Sequence, residues 1–467
     1  MSGRLDRLLR RQRVAGGASG SGVEGPGADV VALVALATRI GGTALECGAS
    51  AAEATQMIIR VGLAHGVGLQ ADVTYTSLTV GSYAGEGEQP VTMVRVVPAL
   101  AQDYARLGHL EGVVEAVSRG EITLDEATDA LRERESSGQE YRRWVRWLAA
   151  FAQGASICAL LGGIWMEVVV AGLATLLIGW VTALMVRRRA PYFFVQVVAG
   201  AVPMLLAVAL MYLRGLGVTD LWQLSPSLVV AAGMVSMLAG MGVVAAAQDA
   251  LDGYFVTAGA RIIELVMRTG GLILGVAAVL WLGVRVGAPA YLAPELIPAP
   301  HPVVQVLACA AFATAFGVTS GLGPRGAVMV GGFGALAWTS YLLVLTPLAG
   351  DHVLAAGAAA FVVGVLGHRL SRWLGPPAVA LVTMGIAPLM PGMLVYRGLF
   401  RLVVGLPAVT PNDTAPELFM LAVLTGVGLA LGSSAGAVLG RRLALPTEHI
   451  ARRATMLSMR AGQMRRR

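Results

Sequence analysis

The sequence predicts a polytopic α-helical membrane protein of about ten transmembrane helices, arranged as a 5+5 inverted repeat, with a small α+β cytoplasmic domain ahead of them. Three observations predict it. Across 467 residues, 56% are hydrophobic and mean hydropathy is +0.70, too apolar for a soluble chain. Charge is segregated: 18 of the 28 acidic residues precede Tyr141 and nine fall between Leu148 and Gly440. A charge at mid-bilayer costs about 2.5–3.5 kcal/mol or more, so the second region suits lipid. Finally, arginines follow the alternation of ten spans, because cytoplasmic loops collect positive charge.

Taken in order, residues 1–28 are predicted to be a disordered basic tail, with five arginines among the first thirteen residues. That start runs into Gly/Ser instead of an apolar core, so it does not read as a signal peptide. The segment 29–140 is the predicted soluble domain. Asp29 is the expected N-cap of a helix over 30–47, and a second helix over 51–65 follows Gly48. The alternating, β-branched stretches 72–80 and 91–97 are expected to be hairpin strands across a Gly/Glu-rich turn at 85–89. Helices over 101–118 and 123–134 complete the domain, the last opened by the capping box Thr123-x-x-Glu126.

Apolar runs then become long enough to cross roughly 30 Å of hydrocarbon, which takes about 20 helical residues. They are 148–165, 168–186, 191–213, 227–247 and 262–284 in a first half (148–287), and 302–320, 326–348, 352–370, 376–395 and 417–440 in a second (302–440). The last segment, 441–467, is a basic cytoplasmic tail. With the soluble domain inside, thirteen arginines fall on inner loops and flanks (142, 143, 146, 187–189, 261, 268, 325, 369, 372, 441, 442) and four on outer ones (214, 285, 397, 401). Two halves with an odd number of helices enter the membrane from opposite sides, the inverted layout common in secondary transporters.

Several chemistries are excluded. All 35 basic residues are arginine, so neither a P-loop lysine nor a Schiff-base lysine is present. Cys47, Cys158 and Cys309 are far apart, and the six histidines form no metal-ligand spacing. Basic tails beside a membrane read as orientation signals and lipid contacts, not as nucleic-acid binding. Gly321-Leu-Gly323-Pro-Arg-Gly326 matches GxGxxG but joins two membrane helices, outside the strand-to-helix context a dinucleotide site needs. In the soluble domain Ser77 has no nearby histidine, and His65 and His109 suit packing or surface roles. Gly426, Gly428 and Gly432 read as faces for close helix packing.

Candidate pathway residues cluster at two polar breaks. In the first, Asp249 and Asp252 sit near the inner end of helix four, and Arg261 and Glu264 are i,i+3 neighbours at the start of helix five. Acids near a membrane core mark ion pathways, so a gate or proton relay competes with a solvated ion pair. In the second, Pro388, Pro391 and Gly392 should break helix nine and free backbone groups for a solute. Tyr396 and Arg397 follow, and Arg397 could hold a carboxylate by bidentate hydrogen bonds. Gln153 and Gln196 are further polar candidates that could equally bond a neighbouring helix.

The residues resemble the threonine/serine exporters, the ThrE family, over about 30–440. Gly48-Ala-Ser50-Ala-Ala-Glu53 is similar to the family's GASAxE turn. Val73-Thr-Tyr75-Thr-Ser77-Leu78 resembles its VTPTSI strand, with Tyr75 where proline is usual, and Thr92-Met-Val-Arg95-Val96 its TxxRV strand. Pro388 to Gly398 is close to PLVPGxxxYRG. The PGxxxxNxxRDxxxGD stretch is matched in part, keeping Gly240, Asp249 and Gly253 but carrying Ala239, Ala245 and Gln248 at polar or proline positions. The resemblance implies proton-driven export of threonine and serine across the cytoplasmic membrane, with no cofactor beyond the proton gradient, and gives roles to Asp249 and Arg397. Altered positions make export firmer than threonine. Exporters of small carboxylates such as pyruvate or succinate are the nearest alternative, followed by a membrane-anchored sensor or hydrolase and by a subunit of a larger complex. The expected partners are an amino acid and the lipid bilayer, and homo-oligomers are left open.

Overall fold

A computed structural model describes residues 28–82, 90–97, 102–136, 141–215, 226–235, 240–285, 301–347, 350–404 and 414–443. The soluble domain opens with α1 (Ala28–Glu46) and α2 (Ala51–Ala64). Asp29 lies inside the first turn of α1 instead of capping it, where the helix dipole still favours a carboxylate. The GASAxE-like turn is a capping box: Ser50 N donates to Glu53 (3.0 Å) and Glu53 N to Ser50 Oγ (3.2 Å).

Three strands follow, β1 (Leu69–Val73), β2 (Ser77–Ser82) and β3 (Thr92–Val96), antiparallel in the order β1-β2-β3. The expected single strand over 72–80 is therefore two strands and a turn. Its alternation is real on either side, but Thr74 closes the chain on itself. Thr74 N donates to Ser77 O (2.9 Å) and Ser77 N to Thr74 Oγ1 (3.1 Å), leaving Tyr75 and Thr76 at the tip. The turn expected at 85–89 lies outside the described residues. Arg95 on β3 donates to Glu46 at 2.8 Å, tying the sheet to α1. Helices α3 (Tyr104–Arg119) and α4 (Leu124–Ser136) complete the domain, and the Thr123/Glu126 capping box is formed.

The remaining helices are α5 (Arg143–Leu160), α6 (Trp165–Arg187), α7 (Tyr192–Gly215), α8 (Pro226–Val235), α9 (Gly240–Leu251) and α10 (Phe255–Arg285), then α11 (Pro302–Thr319), α12 (Pro324–Leu345), α13 (His352–Leu374), α14 (Ala378–Ile386), α15 (Gly392–Val404) and α16 (Ala415–Leu443). Among the described residues seven helices are long and apolar enough to cross a membrane: α6, α7, α10, α11, α12, α13 and α16. An eighth candidate is the pair α14/α15, bent by 40°. The chain is a multi-pass membrane protein.

Two expected spans differ. The first, 148–165, is shifted to Arg143–Leu160 and falls outside the spanning set, because Arg143, Arg146 and Gln153 dilute its apolar run. The fourth, 227–247, divides into α8 and α9, with 236–239 outside the described residues. The ninth breaks as expected: a 3-10 turn at Ala387–Leu389 ends in extended Met390, and α15 restarts at Gly392.

Six helix ends among the described residues share one device, three of them in the N-terminal domain. After α5, α9 and α11 a glycine adopts positive φ (Gly162 at 88°, Gly253 at 89°, Gly321 at 82°). The next amide reaches back five residues, as in Tyr254 N to Asp249 O (2.8 Å) and Leu322 N to Gly317 O (3.0 Å). Packing partners are α5 on α6, α8 and α11; α6 on α7 and α8; α7 on α8 and α10; and α9 on α10 and α16. Further on, α11 packs on α12 and α14; α12 on α13 and α14; α13 on α14 and α16; and α15 on α8, α10 and α16.

The closest approaches are made by glycine. A Cβ on Gly275 would sit 2.0 Å from Val197 O, and one on Gly200 2.4 Å from Leu272 O, so α7 and α10 touch through backbone. The pair α13 and α16 does the same: Gly432 faces Gly357 O (2.1 Å), and Gly436 faces Phe361 O (2.4 Å). Small residues permit this contact where apolar burial alone gives no driving force in lipid.

Candidate functional site

The α9–α10 turn brings the first group of predicted residues together. Asp249, in the last turn of α9, is 1% exposed. Arg261, two turns into α10, donates from Nε to its Oδ2 at 2.6 Å. The expected i,i+3 neighbours Arg261 and Glu264 do not pair. The chain reverses at Gly253 and lays Arg261 back against α9, while Glu264 accepts from Arg268 at 3.1 Å, one turn further along. Asp249 Oδ1 is buried with no partner among the described residues. Beside it Gln248 donates to Ser433 of α16 (3.0 Å), so the pair sits at the seam between α9 and the last membrane helix. Asp252 stands exposed on the turn, outside the buried pair.

The length of α10 explains how charges are tolerated here. Its 31 residues would span about 46 Å at 1.5 Å each, against roughly 30 Å of hydrocarbon. The helix is therefore longer than the apolar layer, which leaves room for the turns carrying Arg261, Glu264 and Arg268 outside it.

The soluble domain covers this group. Tyr75, at the tip of the β1–β2 turn, donates its hydroxyl to Glu264 Oε2, and its ring faces the Arg261 guanidinium at 5.6 Å. Burial, reinforced by that bond to Glu264, pushes the Tyr75 phenol up from its ordinary value and keeps it a donor. Thr257 donates to Val73 O (3.2 Å) and Tyr254 to Thr55 Oγ1 (3.0 Å). Tyr192 of α7 also donates to Glu264 (3.3 Å) and receives Arg268 Nε. The candidate list from sequence lacked Tyr75, Tyr192, Tyr254, Thr257 and Arg268. Tyr75 alone carried a signal, as a departure from proline in an otherwise matching strand.

The second group stays apart. Pro388 lies in the 3-10 turn, Pro391 and Gly392 restart the helix, and Tyr396 is buried in a core shared with residues of α6, α7, α8, α10 and α16. Arg397 is half-buried, and among the described residues no hydrogen bond or ion pair joins it to the Asp249 group. Gln153 takes the plain role of bonding a neighbouring helix, donating to Thr319 at 2.7 Å. Gln196 is buried in α7 against Gly271, its Oε1 without a partner among the described residues. Cys47, Cys158 and Cys309 are buried and unbridged, and no His/Cys/Asp/Glu group among the described residues could hold a metal.

The ThrE family model matches residues 35–283, and a second model described as "Threonine/Serine exporter, ThrE" matches 305–438. The chain belongs to the threonine/serine exporter family. A probable threonine/serine exporter of Mycobacterium tuberculosis is 30% identical over 386 residues, covering 81% of this chain and 70% of the relative. The threonine/serine exporter of Corynebacterium glutamicum is 29% identical over 438 residues, covering 89% and 84%. No solved structure matches the chain. Membership makes the protein a transporter and not an enzyme. It also recasts the matched motifs, since Ser50, Glu53 and Arg95 hold the soluble domain together while Asp249 sits in the buried pair.

Proposed function

We infer that the protein exports threonine and serine from the cytoplasm across the cell membrane, coupled to proton entry, along a path whose inner station is the Asp249–Arg261 pair. One observation carries this reading: a carboxylate 1% exposed, held by Arg261 at 2.6 Å through one oxygen and open at the other. A zwitterionic amino acid is its complement. The substrate carboxylate can take the guanidinium through parallel N–H donors, and its ammonium can take the open carboxylate oxygen. A proton reaching Asp249 neutralises it and releases Arg261, which is the coupling step. A small carboxylate such as pyruvate supplies only half of that exchange. Arg397, beyond the break at Pro388–Gly392, is a second carboxylate-holding position on the same path.

The layout we infer is ten spans in two inverted halves, with α5 and the α8/α9 pair completing the count and both termini cytoplasmic. Support comes from matching helix partners. In each half the first packs on the second (α5 on α6, α11 on α12), the second on the third, and the third on the fifth (α7 on α10, α13 on α16). The broken fourth places its leading piece on the second and third (α8, α14) and its trailing piece on the fifth (α9, α15). Orientation is supported by the turns that the soluble domain meets, after α9, α11 and α13, all of which arginine placement puts inside.

The test uses inside-out vesicles containing the protein. They are expected to accumulate labelled threonine or serine when the lumen is made acidic, and Asp249→Asn is expected to abolish this. Equal uptake without a gradient would remove proton coupling, and uptake of pyruvate or succinate in place of threonine would remove the substrate.

A further inference from the structure

The soluble domain is attached to the membrane helices by two kinds of contact. Toward α11–α14 it shares a core: Leu33, Leu107 and Leu131 belong to one continuous buried core with Phe316, Val330, Phe333, Leu381 and Met384, which also takes in Val244 of α9 and Leu429 of α16. Backbone meets backbone there, Tyr104 N donating to Ser320 O at 3.2 Å. Gly321 lies so close that its absent Cβ would be 3.7 Å from Ala105 Cβ, and Gly108 admits Pro377 in the same way. Toward α10 the hold is by side-chain tips: Tyr75 on Glu264 and Arg261, Thr257 on Val73, Tyr254 on Thr55. The helices α6, α7, α8, α10, α15 and α16 share a separate core that includes no residue of the soluble domain, α16 contributing to both cores.

We propose that the soluble domain is the inner gate of the transport path and that Tyr75 is its latch, a positioning residue that holds Glu264 and Arg261 closed over Asp249 until solute arrives. The proposal rests on the reading of Asp249 as the inner station. Three features argue for it. The β1–β2 turn is stiffened by the Thr74–Ser77 bonds, so Tyr75 is presented by a rigid arm. One of its partners, Arg261, is the charge the substrate carboxylate would claim, so solute competes for a group that fastens the gate. Release from α10 parts three hydroxyl hydrogen bonds and frees the Tyr254 ring, whereas release from α11–α14 would expose more of the shared apolar core to water. The domain therefore stays on α11–α14 and parts from α10.

Two covalent ties separate these motions. Thr55→Cys with Tyr254→Cys, bridged by a short bismaleimide, fastens the domain to the start of α10. Ala105→Cys with Gly321→Cys, oxidised, fastens it to the α11–α12 turn, where the Cβ separation of 3.7 Å suits a disulfide. Each single variant is the control, Gly321→Cys also carrying the strain of its φ of 82°. The three native cysteines are buried away from the reagents. In inside-out vesicles the first tie is expected to stop threonine uptake and the second, with reduction as its reversal, to leave it unchanged.

A readout independent of solute is amidation of Asp249 by a water-soluble carbodiimide and glycine methyl ester, mapped by mass spectrometry. It should be several-fold faster in Tyr75→Ala than in the parent and suppressed by the first tie only. Uptake and amidation indifferent to both ties would overturn the gate. Suppression by the second tie alone would reverse the hinge and remove Tyr75 as latch. Amidation that follows the ties in a protein that transports no threonine would keep the gate and overturn the proposed substrate.

Discussion

At the scale of single residues, the Asp249–Arg261 bond is costly to break from one side. Removing one partner of a buried pair leaves the other charge unsolvated, a loss of about 3–5 kcal/mol, while replacing both by apolar groups is often neutral. Asp249→Ala is therefore expected to lower the thermal midpoint in detergent more than the Asp249→Leu/Arg261→Leu double variant, with export absent in both. Arg261→Lys keeps the charge but lacks the planar donor fork that meets a carboxylate, and is expected to weaken threonine uptake with the fold retained. A different residue sets a pH dependence. Burial, then the charge of Glu53, pushes the Glu111 carboxyl up to about 7 from 4.5. The folded state holds that proton after the unfolded chain has lost it, so the stability tied to this group is complete below about pH 4.5 and lost by about pH 7. Glu111→Gln should then raise the unfolding midpoint at pH 8 and leave it nearly unchanged at pH 4.

At the scale of elements, the two backbone-to-backbone helix pairs invite the same substitution. Gly275→Val and Gly432→Val would each force a side chain into a carbonyl, 2.0 Å and 2.1 Å from the first atom, and are expected to abolish recovery of folded protein. Gly179→Ala meets nothing within 4 Å and should be silent. Fluorescence size-exclusion profiles of the three variants decide it. The glycine face of the last helix was legible at Gly428 and Gly432, because small residues four apart in an apolar run have few other uses. The break at Pro388–Gly392 was legible for the same reason, two prolines and a glycine leaving helix no continuation. What escaped was the turn at Thr74–Thr76. Threonine and tyrosine favour strand on average, and the chain reversal is made there by side-chain hydrogen bonds that composition does not display. Arg261 pairing with Asp249 instead of Glu264 escaped too, since it depends on how sharply Gly253 folds α10 back along α9.

At the scale of the whole molecule, segregated charge and apolar run lengths were enough to separate the N-terminal α+β region from the apolar helices that follow it. The count was harder to read, because α5 mixes arginines with apolar residues and α8/α9 is interrupted. Nor did the sequence mark how the domain is seated, since Leu107 and Phe316 read as ordinary core residues on separate helices until the fold joins them. That seating bears on how the protein is made. The domain leaves the ribosome ahead of the membrane helices, yet those that complete its core, α11 to α14, are translated after about 160 further residues. At roughly 5–20 residues per second the face carrying Tyr104 and Leu107 waits about ten to thirty seconds for its partner. During synthesis, then, this exporter carries an unfinished apolar surface, and a holding chaperone is the natural company for it until α14 has been made.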